Sequence, residues 1–431
     1  MADLEDFKYV MALWKEMRLP DIIERDIRID LDANKIVTIA GVRRAGKTSI
    51  MFQCMKDLAG RGIKKDNMAY VNFENERLIA AKATELDNLL IAHTQMFEPE
   101  RGPIYLFLDE IQNVENWDKW VRKVYDTGRY RIAITGSSSQ LLSREIATAL
   151  AGRNLSYVVY PFSFGEFVRA KGIVADKATG YSAKKGLLLR ALDEFLEYGS
   201  FPEVALADSP ARKMELLSSY FDAIFFRDIV KRYDLREVGA LEIFLKALSC
   251  NYASYFSSVK THNYFGSLGF RISRNTVLNF LEYSRSVFFV EMLEQHLRSP
   301  RKRFASQMKS YAIDIGLSRL FAGIDKGRSL ENAVFLELLR RRGVGGKVYY
   351  LRLKSGKEVD FILDGRRKEL IQVAYRLDGD KTHDREIGAL VEASSALGLR
   401  SCKVITYDYQ KIESVHGLRI DCVPFWSWAL E

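Results

Sequence analysis

The chain has 431 residues, of which 48% are hydrophobic and 28% charged, and this balance excludes a disordered or collagen-like protein. Its 65 lysines and arginines exceed its 56 aspartates and glutamates, and the formal charge of +9 permits an anionic partner without requiring one. The four cysteines lack metal-ligand spacing, and no apolar run reaches the roughly 20 residues of a membrane helix. The acidic N-terminus is unlike a signal peptide. These features predict a soluble, cytoplasmic protein of about three domains.

Short apolar runs alternate with helix-length polar stretches over the first 160 residues. The runs cover residues 35–40, 69–73, 104–108 and 130–134. Near-continuous apolar strands that alternate with helices indicate a parallel sheet covered on both faces.

The pattern changes after residue 163, where long amphipathic helical segments extend to about residue 248. Two short helices, predicted over 258–268 and 274–286, then precede strand-like runs at 287–293 and 308–313 with a basic loop between them. This order is the outline of a winged helix. The last 110 or so residues return to strands and helices.

Residues 41–48 carry the clearest motif of the chain. They match the phosphate-binding pattern G-x-x-x-x-G-K-[ST], after a strand and before a helix. Glycines let backbone N–H groups converge on phosphate oxygens, and a helix N-terminus adds a favourable field. We expect Lys47 to reach the β- and γ-phosphates of a nucleotide and the Thr48 hydroxyl to ligate Mg²⁺. The predicted nucleotide-binding residues are Gly41, Arg43, Arg44, Ala45, Gly46, Lys47, Thr48 and Ser49.

Two acids follow the strand-like run at 104–108. Asp109 is expected to complete the Mg²⁺ shell with Thr48, and Glu110 to polarise the attacking water, so the pair indicates hydrolysis and not binding alone. The next strand ends in a small polar cluster. Two interpretations stay open there: Ser137 faces the nucleotide, or the cluster merely caps a helix over 141–150, a role that suits Ser139.

These pieces, in this order, resemble a prokaryotic, archaeal-type AAA+ ATPase family. Further markers are the segments 150–153, 198–203 and 331–335. In that family the ATPase domain precedes a winged helix and a restriction-endonuclease-like domain of unknown function. The resemblance implies an α/β protein with a P-loop AAA+ parallel sheet (1–162), a helical lid (163–240), a winged helix (241–318) and a small α/β restriction-endonuclease-like domain (319–431). It also implies a homo-oligomer, with a hexameric ring as the expectation.

The resemblance assigns roles to further side chains. Ser137 would be the sensor at the strand end, and Arg153 an arginine finger that reaches the γ-phosphate of a neighbouring subunit. Asn72 matches a position where some AAA+ proteins place a polar residue that restrains the catalytic glutamate. By itself, Arg153 would be a surface charge or a salt-bridge partner. The predicted catalytic residues are therefore Lys47, Glu110, Ser137 and Arg153.

The order of ATPase, lid and winged helix is also similar to that of the Holliday-junction branch-migration motor. Clustered cations on a projecting wing would suit phosphate neutralisation, although most charge runs are simply solvated. The predicted DNA-binding residues are Arg274, Arg298, Arg301, Lys302 and Arg303. We expect a Mg²⁺-dependent ATPase that couples ATP hydrolysis to binding and remodelling DNA, with branched or fork DNA as the most specific substrate. The alternative is a nucleotide-controlled regulatory ATPase that acts on a protein partner.

The C-terminal part departs from the nuclease pattern to which it is similar. Glu331 and Asp360 match two acidic positions of that pattern, but Gln372 stands where the next acid belongs and Ala374 where the lysine belongs. A neutral amide and a methyl group can neither balance the charge of Mg²⁺ nor activate water. The resemblance therefore implies a catalytically inactive domain for DNA binding or assembly, and disfavours an ATP-fuelled nuclease.

Overall fold

The computed structural model describes residues 2–175, 179, 184–342, 346–365, 367–377 and 380–431. The chain divides into two compact units. The N-terminal unit comprises residues 1–159 with 286–288, and the C-terminal unit comprises 160–285 and 289–431. Within the described ranges, none of the helices is long and apolar enough to span a membrane.

A five-stranded sheet forms the centre of the N-terminal unit. Its strands are β1 (Ile36–Gly41), β2 (Met68–Asn72), β3 (Ile104–Asp109), β4 (Tyr130–Gly136) and β5 (Asn154–Val159). They lie in the order β2-β3-β4-β1-β5, and all of these pairings are parallel. Every residue of β1 and β3 is buried, as expected for parallel strands covered on both faces. The parallel sheet predicted from the apolar runs is confirmed.

Helices cover this sheet. They are α1 (Leu4–Glu16), α2 (Lys47–Gly60), α3 (Asp87–Met96), α4 (Trp117–Asp126) and α5 (Arg144–Ala149). The helix expected over 141–150 begins later, because a 3₁₀ turn (Ser139–Leu142) precedes it. Ser138 caps that turn and Ser143 caps α5, so the capping role expected for Ser139 is wrong.

Helices also form the first part of the C-terminal unit. They are α6 (Phe164–Ala170), α7 (Lys185–Tyr198), α8 (Pro202–Leu206), α9 (Pro210–Asp222), a π-helical stretch (Ala223–Val230) and α10 (Lys231–Tyr233). Gly199, between α7 and α8, has φ 75°, and a Cβ there would collide with the Asp314 carboxylate. Asp314 accepts the backbone N–H of Ser200 at 2.7 Å and that of Gly316 at 2.8 Å. Gly199 and Ser200, which belong to the segment 198–203 that supports the family resemblance, thus take part in this buried contact with Asp314.

A three-stranded antiparallel sheet follows, with helices before and between its strands. The elements are α11 (Val238–Cys250), β6 (Ser254–Tyr255), α12 (Ser258–Ser267), α13 (Arg274–Ser286), β7 (Val290–Leu293), α14 (Pro300–Ala305) and β8 (Lys309–Ala312), with sheet order β6-β8-β7. The predicted basic loop between the last two strands contains a short helix instead. Pro300 lies in its first turn and Ser299 accepts the backbone N–H of Lys302, two features that favour a helix start.

The last part of the chain is a six-stranded mixed sheet with its own core. Its elements are α15 (Ile315–Arg319), α16 (Lys326–Arg341), β9 (Lys347–Arg352), β10 (Glu358–Asp364), β11 (Glu369–Ala374), α17 (Asp380–Leu397), β12 (Ser401–Thr406), β13 (Lys411–Val415), β14 (Leu418–Pro424) and α18 (Phe425–Ala429), with sheet order β13-β14-β12-β11-β10-β9. Ile362, Leu370, Leu390 and Val404 are fully buried between α17 and the sheet. The sequence pattern did not predict β13, because this edge strand has no buried residue and therefore no apolar run.

Candidate nucleotide-binding site

The phosphate loop, residues 41–48, has the backbone geometry that its motif requires. Arg44 and Gly46 adopt φ values of +66° and +93°. Gly41 lies so close to β5 that a Cβ there would collide with the carbonyl of Val159. Because Gly46 is the N-cap of α2, no side chain caps the first N–H groups of this helix. Such groups bind anions well.

The other nucleotide-binding candidates surround this loop. Arg44 is exposed, Ala45 is buried, and Ser49 is half-buried in the first turn of α2. Arg43 is held in an ion pair, with Nη1 3.1 Å from Oε1 of Glu74. The loop therefore places backbone N–H groups and positively charged side chains close to the carboxyl ends of the parallel strands.

Asp109 is the centre of a buried hydrogen-bond network. Its Oδ2 accepts the Thr48 hydroxyl at 2.7 Å and the Tyr70 hydroxyl at 3.0 Å, while its Oδ1 accepts the Thr135 hydroxyl. Burial raises the pKa of Asp109 although the hydroxyl donors Thr135 and Thr48 act to lower it. The structure thus brings Thr48 and Asp109, both predicted as Mg²⁺ ligands, into direct contact.

Glu110 is held at both carboxylate oxygens. Nζ of Lys47 lies 3.4 Å from Oε1, and Nε2 of Gln112 donates to Oε2 at 2.5 Å. Burial alone would raise the pKa of Glu110, but the Lys47 charge and the Gln112 hydrogen bond hold it below its ordinary value. Lys47 also donates to the carbonyls of Gly41 and Val42, at 3.2 Å each.

The backbone of Glu110 is strained. Its φ and ψ of 54° and 42° lie in the left-handed region, which costs a non-glycine residue on the order of 1 kcal/mol or more. Its N–H donates to the Thr135 hydroxyl at 2.9 Å, so the same threonine that contacts Asp109 also fixes this conformation. Such strain is common where a side chain must be aimed at a functional site.

Ser137, the predicted sensor, lies two residues beyond the threonine that contacts both acids. Ser137 is 1% exposed, and within the described ranges its hydroxyl has no hydrogen-bond partner.

Sequence reasoning missed Thr135, Tyr70 and Gln112. The signal available for Thr135 was strand periodicity, which puts it on the same face as Ser137. Tyr70 faces the acid because Asn72 pairs with Asp109, a register that only the structure gives.

Asn72 does not restrain Glu110 in the way the resemblance implies. Its Oδ1 accepts the backbone N–H of Glu74 at 2.8 Å and so shapes the turn that carries the partner of Arg43. The amide that bonds the glutamate is instead Gln112, only two residues further along the chain.

Arg153, the predicted finger, lies at the opposite end of the sheet from the phosphate loop. Its carbonyl accepts the N–H of Ile36, the first residue of β1, and Asn154 pairs with Ile36. At ~3.3 Å per residue, the length of β1 puts about 17 Å between this end and Gly41. Nη1 of Arg153 is 2.8 Å from Asp126 in a partly exposed ion pair.

The predicted DNA-binding residues do not share one environment. Arg298, Arg301 and Lys302 are exposed. Arg274 is also exposed, and its Nε donates to the Ser258 hydroxyl at 2.9 Å.

Arg303 differs from these residues because it is half-buried and has partners within the C-terminal unit. Nη1 of Arg303 donates to the Tyr349 hydroxyl at 2.9 Å and Nη2 to the Leu297 carbonyl at 2.8 Å. The guanidinium also lies 4.7 Å from the centre of the Tyr349 ring. Nη1 and Nη2 of Arg303 are therefore both engaged within the C-terminal unit, and contact of this arginine with DNA stays a prediction.

Three acids of the C-terminal unit surround a lysine that lies on β8. Nζ of Lys309, on β8, lies 3.1 Å from Glu331, 2.5 Å from Glu358 and 3.6 Å from Asp360. Burial lowers the pKa of Lys309, but the three carboxylates raise it well above its ordinary value. Within the described ranges, no group of three or more acidic, histidine or cysteine residues could hold a metal ion.

Gln372 takes part in this arrangement as a neutral side chain. Its Oε1 accepts the backbone N–H of Asp360 at 3.2 Å, and its Nε2 donates to Glu386 at 2.6 Å. Burial, followed by the charge of Glu331, raises the pKa of Asp360 well above its ordinary value. The cluster thus combines one cation, Lys309, with several acids and a neutral amide.

Comparisons with known proteins agree with the fold. Residues 33–168 match a family model described as an AAA domain, and residues 189–328 and 326–428 match two domains of unknown function, DUF8612 and DUF4143. An uncharacterized protein of Methanocaldococcus jannaschii is 40% identical over 417 residues, which cover 95% of this chain and 91% of the relative. An uncharacterized protein of Haemophilus influenzae is 32% identical over 360 residues, which cover 82% of this chain and 86% of the relative.

A solved structure, the Walker-type ATPase of Pyrococcus abyssi, aligns with 74% of this chain and 96% of its own, at 13% identity and a TM-score of 0.40. The two sequence relatives are far closer and extend over most of both chains. The chain therefore belongs to the same family as the Methanocaldococcus jannaschii and Haemophilus influenzae proteins, and its N-terminal unit carries an AAA domain with the P-loop fold that the sequence predicted.

Proposed function

We propose that the N-terminal unit hydrolyses ATP with Mg²⁺. One observation carries this proposal: the Thr48 hydroxyl contacts Asp109 at 2.7 Å while Lys47 lies 3.4 Å from Glu110. A phosphate-binding ammonium, a pair of oxygen ligands and a second carboxylate are the parts that phosphoryl transfer to water requires.

The donor set fits Mg²⁺, which prefers oxygen ligands and usually keeps several waters when it binds beside phosphates. Thr48 and Asp109 would hold the ion. When bound, it would supply charge neutralisation at the β- and γ-phosphates.

Side chains and backbone groups of this chain have the remaining roles in phosphate binding and water activation. Lys47 binds the phosphates, which compete for its ammonium with Glu110 and with the carbonyls of Gly41 and Val42. The Glu110 carboxylate accepts a proton from the attacking water, which a buried and ionised acid beside the phosphate loop can do. The backbone N–H groups at the start of α2 orient the phosphates. Ser137 is proposed to contact the water or the γ-phosphate through its buried hydroxyl.

Arg153 is proposed to act on a neighbouring subunit. Since it lies about 17 Å along β1 from its own phosphate loop, it cannot reach its own nucleotide. A homo-oligomer, with a hexameric ring as the proposed form, would bring this arginine to the γ-phosphate of the next subunit. An exposed ion pair such as the one with Asp126 is weak and is therefore readily exchanged for a phosphate.

We further propose that hydrolysis is coupled to binding and remodelling DNA, with branched or fork DNA as the proposed substrate. The support is the charge of +9, the exposed cations Arg298, Arg301 and Lys302, and the two helices α12 and α13 followed by the antiparallel strands β7 and β8, an order that agrees with the proposed winged helix. The nuclease-like part, with Lys309 among its acids, is proposed to serve binding or assembly without cleavage.

The test is the rate of ATP hydrolysis without DNA and with single-stranded, duplex and four-way DNA. We expect stimulation that is largest with four-way DNA, with Glu110→Gln as the inactive control. Hydrolysis that no DNA stimulates would reject the coupling and favour the regulatory ATPase that acts on a protein partner.

A further inference from the structure

The side-chain amide of Gln112 lies between the proposed base and the end of β4. Its Nε2 donates to Oε2 of Glu110 at 2.5 Å. Its Oε1 is buried and, within the described ranges, has no hydrogen-bond partner. A buried acceptor left open costs on the order of 1 kcal/mol or more, so this arrangement needs a reason.

The packing around the amide leaves it little freedom. A Cβ added to Gly136 would collide with Oε1 of Gln112 and with a methyl group of Leu141. Glycine at the end of β4 therefore leaves space for the glutamine side chain. Gln112 itself lies on the 3₁₀ turn (Ile111–Asn113) that the left-handed backbone of Glu110 starts.

Nucleotide binding changes the balance of contacts at Glu110. Of the two side chains that hold its carboxylate, Lys47 is needed by the phosphates, which compete for its ammonium. Gln112 carries no charge and has no such competitor. Once Lys47 has moved, the Gln112 amide is the side chain that still fixes the direction of the carboxylate.

We infer that Gln112 is a positioning residue for hydrolysis, which holds the Glu110 carboxylate in the orientation that activates water while Lys47 binds the phosphates. This inference rests on the proposed ATPase function. Gln112 thus has the restraining role that the resemblance implies for Asn72. The left-handed backbone of Glu110, directly after β3, brings the Gln112 amide to the carboxylate.

The experiment uses the full chain and a double-mutant cycle. Gln112→Met removes the amide at similar volume, and Gln112→Asn keeps an amide on a shorter side chain, which withdraws the donor from Glu110 without adding charge. Asn113→Leu is the matched control, since Asn113 lies on the same turn but donates to the Phe73 carbonyl at 3.4 Å. Each change is made in the wild type and in Glu110→Gln. The measurements are kcat and KM for ATP, affinity for a fluorescent ATP analogue, and the thermal unfolding midpoint.

Both Gln112 variants should lower kcat by about 10- to 100-fold, the usual loss when an outer partner of a site residue is removed. KM and analogue affinity should change less than about twofold, because Lys47 and the loop are intact. In the Glu110→Gln background the same changes should alter the residual rate by less than about threefold, since residues that act as a unit are not additive. Asn113→Leu should retain kcat.

A Gln112 variant that lowers the rate by the same factor in both backgrounds would overturn the inference, because its effect would not pass through Glu110. An unchanged kcat, or a loss confined to analogue affinity, would overturn it as well. If Gln112→Met fails to fold, Gln112→Asn decides. Wild-type chain that hydrolyses no ATP would reject the proposed function itself, and the inference with it.

Discussion

Nζ of Lys309 lies 2.5 Å from Oε1 of Glu358, and this ion pair joins β8 of the three-stranded sheet to β10 of the six-stranded sheet. The lysine side chain is 6% exposed. Its other acidic neighbours, Glu331 and Asp360, lie at 3.1 and 3.6 Å. One ammonium therefore lies among three partly or fully buried carboxyl groups.

Removing that ammonium should destabilise the C-terminal unit strongly. Lys309→Met leaves the acids together without a counter-charge, and breaking a buried ion pair in this way costs about 3–5 kcal/mol. Urea unfolding should show the loss. The control is Lys246→Met, since the Lys246–Glu242 pair is exposed and such pairs contribute about 1 kcal/mol or less. Equal effects of the two changes would contradict the structural role of the cluster.

Replacing Lys47 should affect nucleotide binding, whereas replacing Glu110 should affect turnover. Lys47→Ala should abolish nucleotide binding, because the ammonium neutralises phosphate charge in the ground state. Glu110→Gln should keep binding and lower turnover by about 100-fold or more, because the carboxylate acts on the water. Analogue titration and a phosphate-release assay measure the two effects. Equal loss of affinity in both variants would show that Glu110 is structural.

Arg153 should act between subunits. Arg153→Ala alone should lower turnover by about a thousandfold, the scale of an arginine finger. Mixing Arg153→Ala chains with Lys47→Ala chains should restore part of the activity, because only their mixed interfaces pair an intact loop with an intact finger. Asp126→Ala is the control for loss of the ion pair alone. Co-assembly without any recovery, at every mixing ratio, would argue against the finger.

The exposed cations around α14 should contribute non-specific phosphate contacts. Replacing Arg298, Arg301 and Lys302 by Ser should flatten the slope of log affinity against log salt by about 0.9 for each residue that touches duplex DNA, or roughly two units in all. Arg212→Ser, on α9, should leave the slope unchanged. Arg303→Ser should reduce stability, since its guanidinium serves Tyr349 and Leu297. An unchanged slope in the triple variant would remove this surface from the DNA path.

Asp314 should make stability depend on pH. Burial raises its pKa from an ordinary 3.8 to about 6, although Ser200 and Gly316 donate hydrogen bonds to it. Between these two values the folded state binds more protons than the unfolded state, so the free energy of unfolding should fall as pH rises from about 4 to about 6. Asp314→Asn should flatten that dependence in urea titrations across this window. A variant with the same slope as the wild type would contradict the raised pKa.

Local sequence patterns were sufficient to predict the parts of the site whose residues are close together in the sequence. The phosphate loop and the Asp109–Glu110 pair were predicted because strand, loop and helix follow one another within a few residues, and parallel strand ends must meet at one edge. The parallel sheet followed from the same alternation of apolar runs. These segments were therefore enough to predict the central sheet of the N-terminal unit and the position of its phosphate loop.

Tertiary structure decided which side chains complete that site. Thr135 and Tyr70 reach Asp109 from neighbouring strands, and the choice between Thr135 and Ser137 depends on where β4 ends against β3. The left-handed backbone of Glu110 turns Gln112 back towards it. No pattern in the sequence encodes such a turn, because non-glycine residues adopt it only where their surroundings impose it.

In the C-terminal unit as well, the sequence showed which residues are present, and only the tertiary structure showed which of them are in contact. The missing acid and lysine at Gln372 and Ala374 were visible in the sequence, but the contact of Lys309 with Glu358 joins residues 49 positions apart. Arg303 reads as a free cation in the basic run, yet its partner Tyr349 is 46 positions away. Charges in a sequence carry no information on their burial or partners. Only the packing of one sheet against the next decides whether a cation faces solvent, a phosphate or a buried acid.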